Sequence, residues 1–231
     1  MRKIAKVYVT GMCLMAAVNA FVANPALAKG AVEQEQLVEK AQMTLQSFAA
    51  DEGIKDGLKQ LSQETKALFI VPQFIRGAFI FGGAGGSGVL LVRDEKTHNW
   101  GEPIFYNIGS ASFGLQIGGD VSEMVLVVRS RKGLEEFYTN DFKLGANAGI
   151  AAGPVGAGVS AQGITADILS YAKKKGAFAG LAVDGALVAV SNDSNHAYYG
   201  KPVRPTDVAV KKEVSNPKSA KLRTAAENLM K

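Results

Sequence analysis

One cysteine, two histidines and one tryptophan are all that 231 residues supply of the side chains most used for redox, metal and stacking chemistry. The cysteine, Cys13, lies inside an N-terminal apolar stretch, so a chain processed beyond it has no disulfide, no thiolate nucleophile and no thiolate metal site. His98 and His196 are far apart, and neither stands in a His-x-x-x-His or His-Glu-x-x-His spacing. The adjacent acids Asp51-Glu52 and Glu135-Glu136 do not face each other on a helix. No Gly-x-Ser-x-Gly elbow is present. These absences argue against an enzyme and predict no cofactor. Beyond the N-terminal stretch, no apolar run approaches the ~18 residues that span a bilayer.

That N-terminal stretch has three parts. Arg2, Lys3 and Lys6 are basic, Val7 to Val22 is apolar, and Ala26-Leu27-Ala28 is a small-x-small site. Together they read as a secretory signal peptide over 1–28, with cleavage near Ala28 and a periplasmic or secreted product. A lipoprotein anchor on Cys13 would want a small residue before it, and Met12 stands there. Removing 1–28 takes away three basic residues and no acid, so much of the +5 formal charge belongs to the leader. The remainder is long enough for one self-sufficient core.

Over 31–66 the chain reads as a helical opening. Leu37, Val38, Ala41, Leu45 and Phe48 form one stripe, and a second short helix follows over Ile54–Lys66. From Ala67 to about residue 200 the composition turns to Gly, Val, Ile and Phe. Strands are predicted at Ala67–Pro72, Phe74–Phe81, Gly88–Arg93, Ile104–Ile108, Phe113–Ile117, Met124–Val128, Ala146–Ala152, Val155–Ala161 and Ala179–Val190. Short helices are predicted at Lys132–Thr139 and Ile164–Lys175. Glycines within strands suit the bends that close a sheet. The fold class is therefore α+β: a glycine-rich antiparallel sheet, closed or nearly closed into a barrel, with helices at both ends of the chain and between strands. Residues 206–231 form a basic helical tail opened by Asn216-Pro217, with an apolar face of Leu222, Ala225, Ala226, Leu229 and Met230.

Gly83-Ala84-Gly85-Gly86-Ser87-Gly88 fits Gly-x-Gly-x-x-Gly by letter. A dinucleotide site needs a helix after it, and Val89-Leu90-Leu91-Val92 reads as a strand. The expectation is a hairpin or barrel bend. Basic clusters occur at Arg129, Arg131 and Lys132, at Lys173, Lys174 and Lys175, and in the tail at Lys218, Lys221 and Arg223. Each fits either helix-end solvation or a seat for anionic headgroups.

Ordered motifs run through most of the chain. They include Lys66–Pro72, Gly82–Leu91, Trp100-Gly101-Glu102-Pro103, Gly114–Gly119, Leu144-Gly145-Ala146 and Ala152–Gly156. Ile168-Leu169-Ser170-Tyr171, Lys175–Gly180 and Tyr198-Tyr199-Gly200 follow. On these residues the chain, over about 35–205, resembles the SYLF domain family, which includes bacterial secreted members and yeast actin-binding endocytic proteins. The resemblance implies a lipid-binding module without catalytic residues. Its expected partners are anionic phospholipids at a membrane surface of the bacterial envelope, or an envelope protein in a second reading without a lipid ligand. Nucleic acid is not expected, and export sets the chain apart from cytoplasmic actin.

Overall fold

The computed structural model describes residues 25–78, 81–113, 118–154, 163–174, 177–179 and 183–231. Helix α1 (Pro25–Ala49) leads into α2 (Glu52–Gln60), where the Asp51 carboxylate accepts from the Gly53 N–H at 3.1 Å as N-cap. Four long strands follow: β1 (Ala67–Ala78), β2 (Phe81–Val92), β3 (Ile104–Phe113) and β4 (Gly118–Val128). Then come α3 (Arg131–Glu136), β5 (Asp141–Lys143), β6 (Ile150–Ala152), β7 (Ile168–Lys174), β8 (Ala177–Ala179) and β9 (Leu187–Val190). The chain ends with α4 (Asn192–Tyr199), α5 (Pro205–Ala209), a 3-10 turn (Pro217–Ser219) and α6 (Ala220–Leu229).

The described strands form one sheet in the order β5-β9-β3-β2-β1-β4-β7-β6, with β8 also on β7. It curls through 236° into a half-barrel. The two end strands, β5 and β6, are consecutive in sequence and joined only by residues 144–149. Six residues reach at most about 20 Å, so the two edges must approach one another. The sheet is mixed rather than wholly antiparallel, because β6 pairs with β7 in parallel.

Both faces of the sheet's middle are buried, which explains its unbroken apolar runs. Leu68, Ile70, Val89, Leu91, Phe105, Val125 and Val127 meet α1, α2 and α6 through Leu45, Phe48, Leu58, Leu222 and Leu229. Their neighbours Phe69, Val71, Leu90, Tyr106, Met124 and Leu126 face the inside of the curl, with Leu134, Phe137 and Phe142. There Tyr106 donates its hydroxyl to the Phe137 carbonyl at 2.5 Å.

Several expectations change. Of the run predicted as a helix over Ile164–Lys175, Lys175 lies outside the described residues and Ile168–Lys174 is strand β7. Its letters fit either period, and pairing with β4 across the buried middle decides for extended chain. Ala67–Pro72 and Phe74–Phe81 are largely one strand, β1. Its pairings with both β2 and β4 shift around Pro72, as a bulge there requires. Of the strand predicted at Ala179–Val190, Ala179 ends β8 and Leu187–Val190 is β9, with residues 180–182 outside the described residues, and Ala146–Ala152 shortens to β6. Residues 114–117 and 155–161 lie outside the described residues. Helices α4 and α5 were not foreseen.

The glycine motif is the interior of β2. A Cβ at Gly86 would stand 2.3 Å from the Gln73 carbonyl oxygen, and one at Gly88 2.5 Å from that of Ile70. These glycines let the bulged β1 backbone cross at close range. Gly88→Ala is therefore expected to destabilise the fold by about 1–3 kcal/mol through overpacking, read as a lower urea midpoint at unchanged slope.

Candidate functional site

The basic residues singled out from the sequence occupy three separate places, and most already have acidic or carbonyl partners. At the Val128 end of β4, Arg129 binds Glu64 at 2.5 Å and donates to the carbonyls of Ile164 (2.6 Å) and Ala166 (3.3 Å). It staples two connections together. Arg131 pairs with Glu135 at 3.1 Å, one helical turn on. Lys132 is exposed near Asp167, whose carboxyl is held below the usual range chiefly by the Ser130 hydroxyl.

Along β7, the Lys173 ammonium donates to the Ser47 hydroxyl at 2.8 Å and lies opposite Glu123 in register. Lys174 binds Asp120 at 2.8 Å, and this cation is the largest cause of a lowered Asp120 carboxyl pKa. Lys175 lies outside the described residues. On the tail, Lys218 pairs with Glu35 at 3.3 Å and Arg223 with Glu102 at 3.6 Å, while Lys221 is exposed. The apolar face of α6 is spent on the protein's own core: Leu222, Ala226 and Leu229 are fully buried with α1. The apolar face of the tail helix is thus occupied by α1 and the protein's own sheet.

A feature the sequence did not disclose lies where the sheet extends past the helix layer. The register places Val121 (β4), Ile75 (β1), Gly85 (β2), Gly109 (β3) and Leu187 (β9) in one row across five neighbouring strands. The bulge in β1 sets the row's direction. Before it the even residues Leu68 and Ile70 face the helices; beyond it the odd residue Ile75 does. Val121 shares parity with Val125 and Val127, which face the same helices. The row thus continues the apolar helix-bearing face past its buried middle, with Glu33, Leu37 and Lys40 of α1 flanking Ile75. Ile75, Val121 and Leu187 are 55%, 52% and 45% exposed. Between Ile75 and Leu187 runs a shallow hollow of about 730 Å³ floored by Gly83, Gly85 and Gly109. Three strand spacings separate those walls, roughly 14 Å.

On the row's own face the nearby cation is Lys173, with Glu123 opposite it in register, while Lys174 and Arg76, whose guanidinium lies 5.7 Å over the inward-facing Phe74 ring, alternate to the inside of the curl. Asp120, opposite Arg76 in register, binds Lys174. The arrangement has apolar side chains for an interface, with Lys173 on the same face. Alternate glycines at 83 and 85, and at 109, were a possible signal, but without register they read as bends. No group of acids and histidines fit to hold a metal occurs among the described residues.

The model of the Ysc84 family, described as "Las17-binding protein actin regulator", matches residues 109–229. LAS seventeen-binding protein 3 of Saccharomyces cerevisiae is 33% identical over 165 residues, 67% of this chain and 34% of that protein. Protein YSC84 of the same yeast is 30% identical over 162 residues, 67% of this chain and 33% of its own length. Human SH3 domain-containing YSC84-like protein 1 is 29% identical over 140 residues, 58% of this chain and 40% of its own. The chain thus spans about a third of the length of the curated relatives it matches.

Proposed function

The chain belongs to the Ysc84 (SYLF) family, and from that premise we propose that it is a non-catalytic module that attaches to anionic phospholipid surfaces of the bacterial envelope. One relative, LAS seventeen-binding protein 3, is named for a binding partner rather than for a reaction. The observation that carries the lipid reading is the half-exposed row Val121-Ile75-Leu187 with Lys173 on the same face. Three large side chains on one edge of one face, half exposed, are unusual for a surface that meets only water. The leader-like segment at 1–28 supports export, which would present phosphatidylglycerol or cardiolipin rather than phosphoinositides.

The test is co-sedimentation of residues 29–231 with neutral, phosphatidylglycerol and cardiolipin vesicles at two salt concentrations. Binding confined to anionic vesicles and weakened by salt is expected, since each Lys or Arg near such a surface contributes only ~1 kcal/mol. Equal binding to neutral vesicles, or none to any, would sink the reading.

The relatives' names favour a second reading, a protein-interaction module that uses the same hollow without lipid. In that case crosslinking to an envelope protein would be lost with Ile75→Asp while vesicle binding stayed absent throughout.

A further inference from the structure

At the opposite end of the sheet, unpaired donors gather round the chain's one tryptophan. Trp100 follows the β2–β3 turn and is 4% exposed, yet its indole N–H has no acceptor among the described residues. The buried Nε–H of Arg223 has none either. Both side chains line one cleft of about 410 Å³, together with Arg93, Asn99, Lys212 and Val214. The Arg93 guanidinium lies 5.8 Å over the Trp100 ring, fixed by donation to the carbonyls of His98 (3.0 Å) and Ser62 (2.6 Å).

The acids of the cleft are already engaged. Asp94 accepts from Lys212 Nζ and from the N–H groups of Lys96 (2.9 Å) and Thr97 (2.7 Å). Glu102 accepts from the Ser215 hydroxyl (3.2 Å) and the Asn216 N–H (3.3 Å), and pairs with Arg223. Three cations face two carboxylates, and the buried side-chain groups left unmatched here are donors. A buried unmatched donor costs about 1–3 kcal/mol, so two on one cleft call for a reason.

Backbone conformation points to the same place. His98 and Lys212 are the two non-glycine residues with left-handed φ among the described residues, at 59° and 55°. Both are tied to Asp94: the His98 N–H donates to its carbonyl at 2.9 Å, and Lys212 binds its carboxylate. Unfavourable backbone concentrates where a site has to be held in shape.

We infer that this cleft binds a small phosphate-bearing anion, its oxygens accepting from Trp100 Nε1–H and Arg223 Nε–H beside the cations of Arg93 and Lys212. The site goes beyond the lipid reading and does not depend on it. Gly85 in the exposed row and Val92 at the cleft lie seven residues apart along β2, roughly 23 Å. The phosphoryl group could belong to a soluble ester or to a lipid headgroup, and the experiment separates the two.

Trp100 gives one indole N–H signal in a nitrogen-15-labelled full chain. Inorganic phosphate and glycerol 3-phosphate should shift it saturably, while chloride at matched ionic strength should not. If phosphatidylglycerol vesicles also shift or broaden it, and glycerol 3-phosphate competes, the source is a headgroup. If vesicles leave it unchanged, the source is a soluble ester. Arg223→Lys keeps the charge but removes the Nε–H, and should weaken phosphate binding by about tenfold. Ile75→Asp should leave the phosphate response intact even where it abolishes vesicle binding, so failure of one proposal is distinguishable from failure of the other. An indole signal that responds alike to phosphate and chloride, or not at all, would overturn the assignment in the unaltered protein, whatever any variant does.

Discussion

Asn195→Ala is expected to lower stability by about 3 kcal/mol, among the largest losses from any single polar truncation in this fold. Asn195 is fully buried, and its amide acts as a short extra strand against β3. The side-chain oxygen accepts from the Phe105 N–H at 3.0 Å, and the NH₂ donates to the carbonyls of Phe105 (3.1 Å) and Ser191 (2.9 Å). Alanine leaves the Phe105 N–H with no acceptor in a dry site and a gap where the amide packed. Urea unfolding of the variant measures the loss. Asn195→Asp sharpens the argument because its effect depends on pH. A carboxylate there would face two carbonyl oxygens in a buried site, so its folded-state pKa rises above the unfolded value. The protonated acid can still donate, so this variant should be most stable at low pH and lose stability as pH rises through the raised value. A flat pH profile, or a loss below about 1 kcal/mol for alanine, would mean that α4 is held to β3 by packing alone.

Asn195 also marks where sequence reasoning stopped. The middle of the sheet was legible because burial on both faces leaves runs such as Ala67–Val71 and Met124–Val128, which few other structures need. The α1 stripe and the α6 face were legible from their 3.6-residue period. β7 was not, since Ile168-Leu169-Ser170-Tyr171 serves either period and only its place between β4 and β6 makes it extended. α4 escaped because its first residues, Asn192-Asp193-Ser194-Asn195, are those of a turn, and a long-range contact with β3 supplies what local propensity does not. Charge misled for a related reason. Lysines and arginines are visible in sequence, but their partners are not: Arg129 finds Glu64, Lys174 finds Asp120, and Lys218 finds Glu35 only after folding. The exposed row was beyond reach because it exists only in register, with one residue from each of five strands and a bulge at Pro72 that reverses the facing of β1.

That row supplies the other large expected effect. Ile75→Asp should reduce association with phosphatidylglycerol vesicles by roughly thirtyfold at low salt, with little change in stability. The side chain is already half exposed, so the folded state loses little when it becomes polar. At a membrane, the variant forgoes about 1 kcal/mol of apolar burial and brings a negative charge worth ~1 kcal/mol of repulsion to an anionic surface. Together about 2 kcal/mol corresponds to a factor near thirty. Ile75→Ala, which removes burial but adds no charge, should lie between the two proteins and keep the same salt dependence. Val121→Asp should resemble Ile75→Asp, because the two residues are direct cross-strand partners. Replacing Lys218 and Lys221 by glutamine should change binding far less, since α6 sits on α1 and Lys218 is spent on Glu35. The ranking is the decisive readout. If the tail substitutions weaken binding more than Ile75→Asp does, the membrane contact lies on the helix layer, and the glycine-floored hollow needs a different occupant.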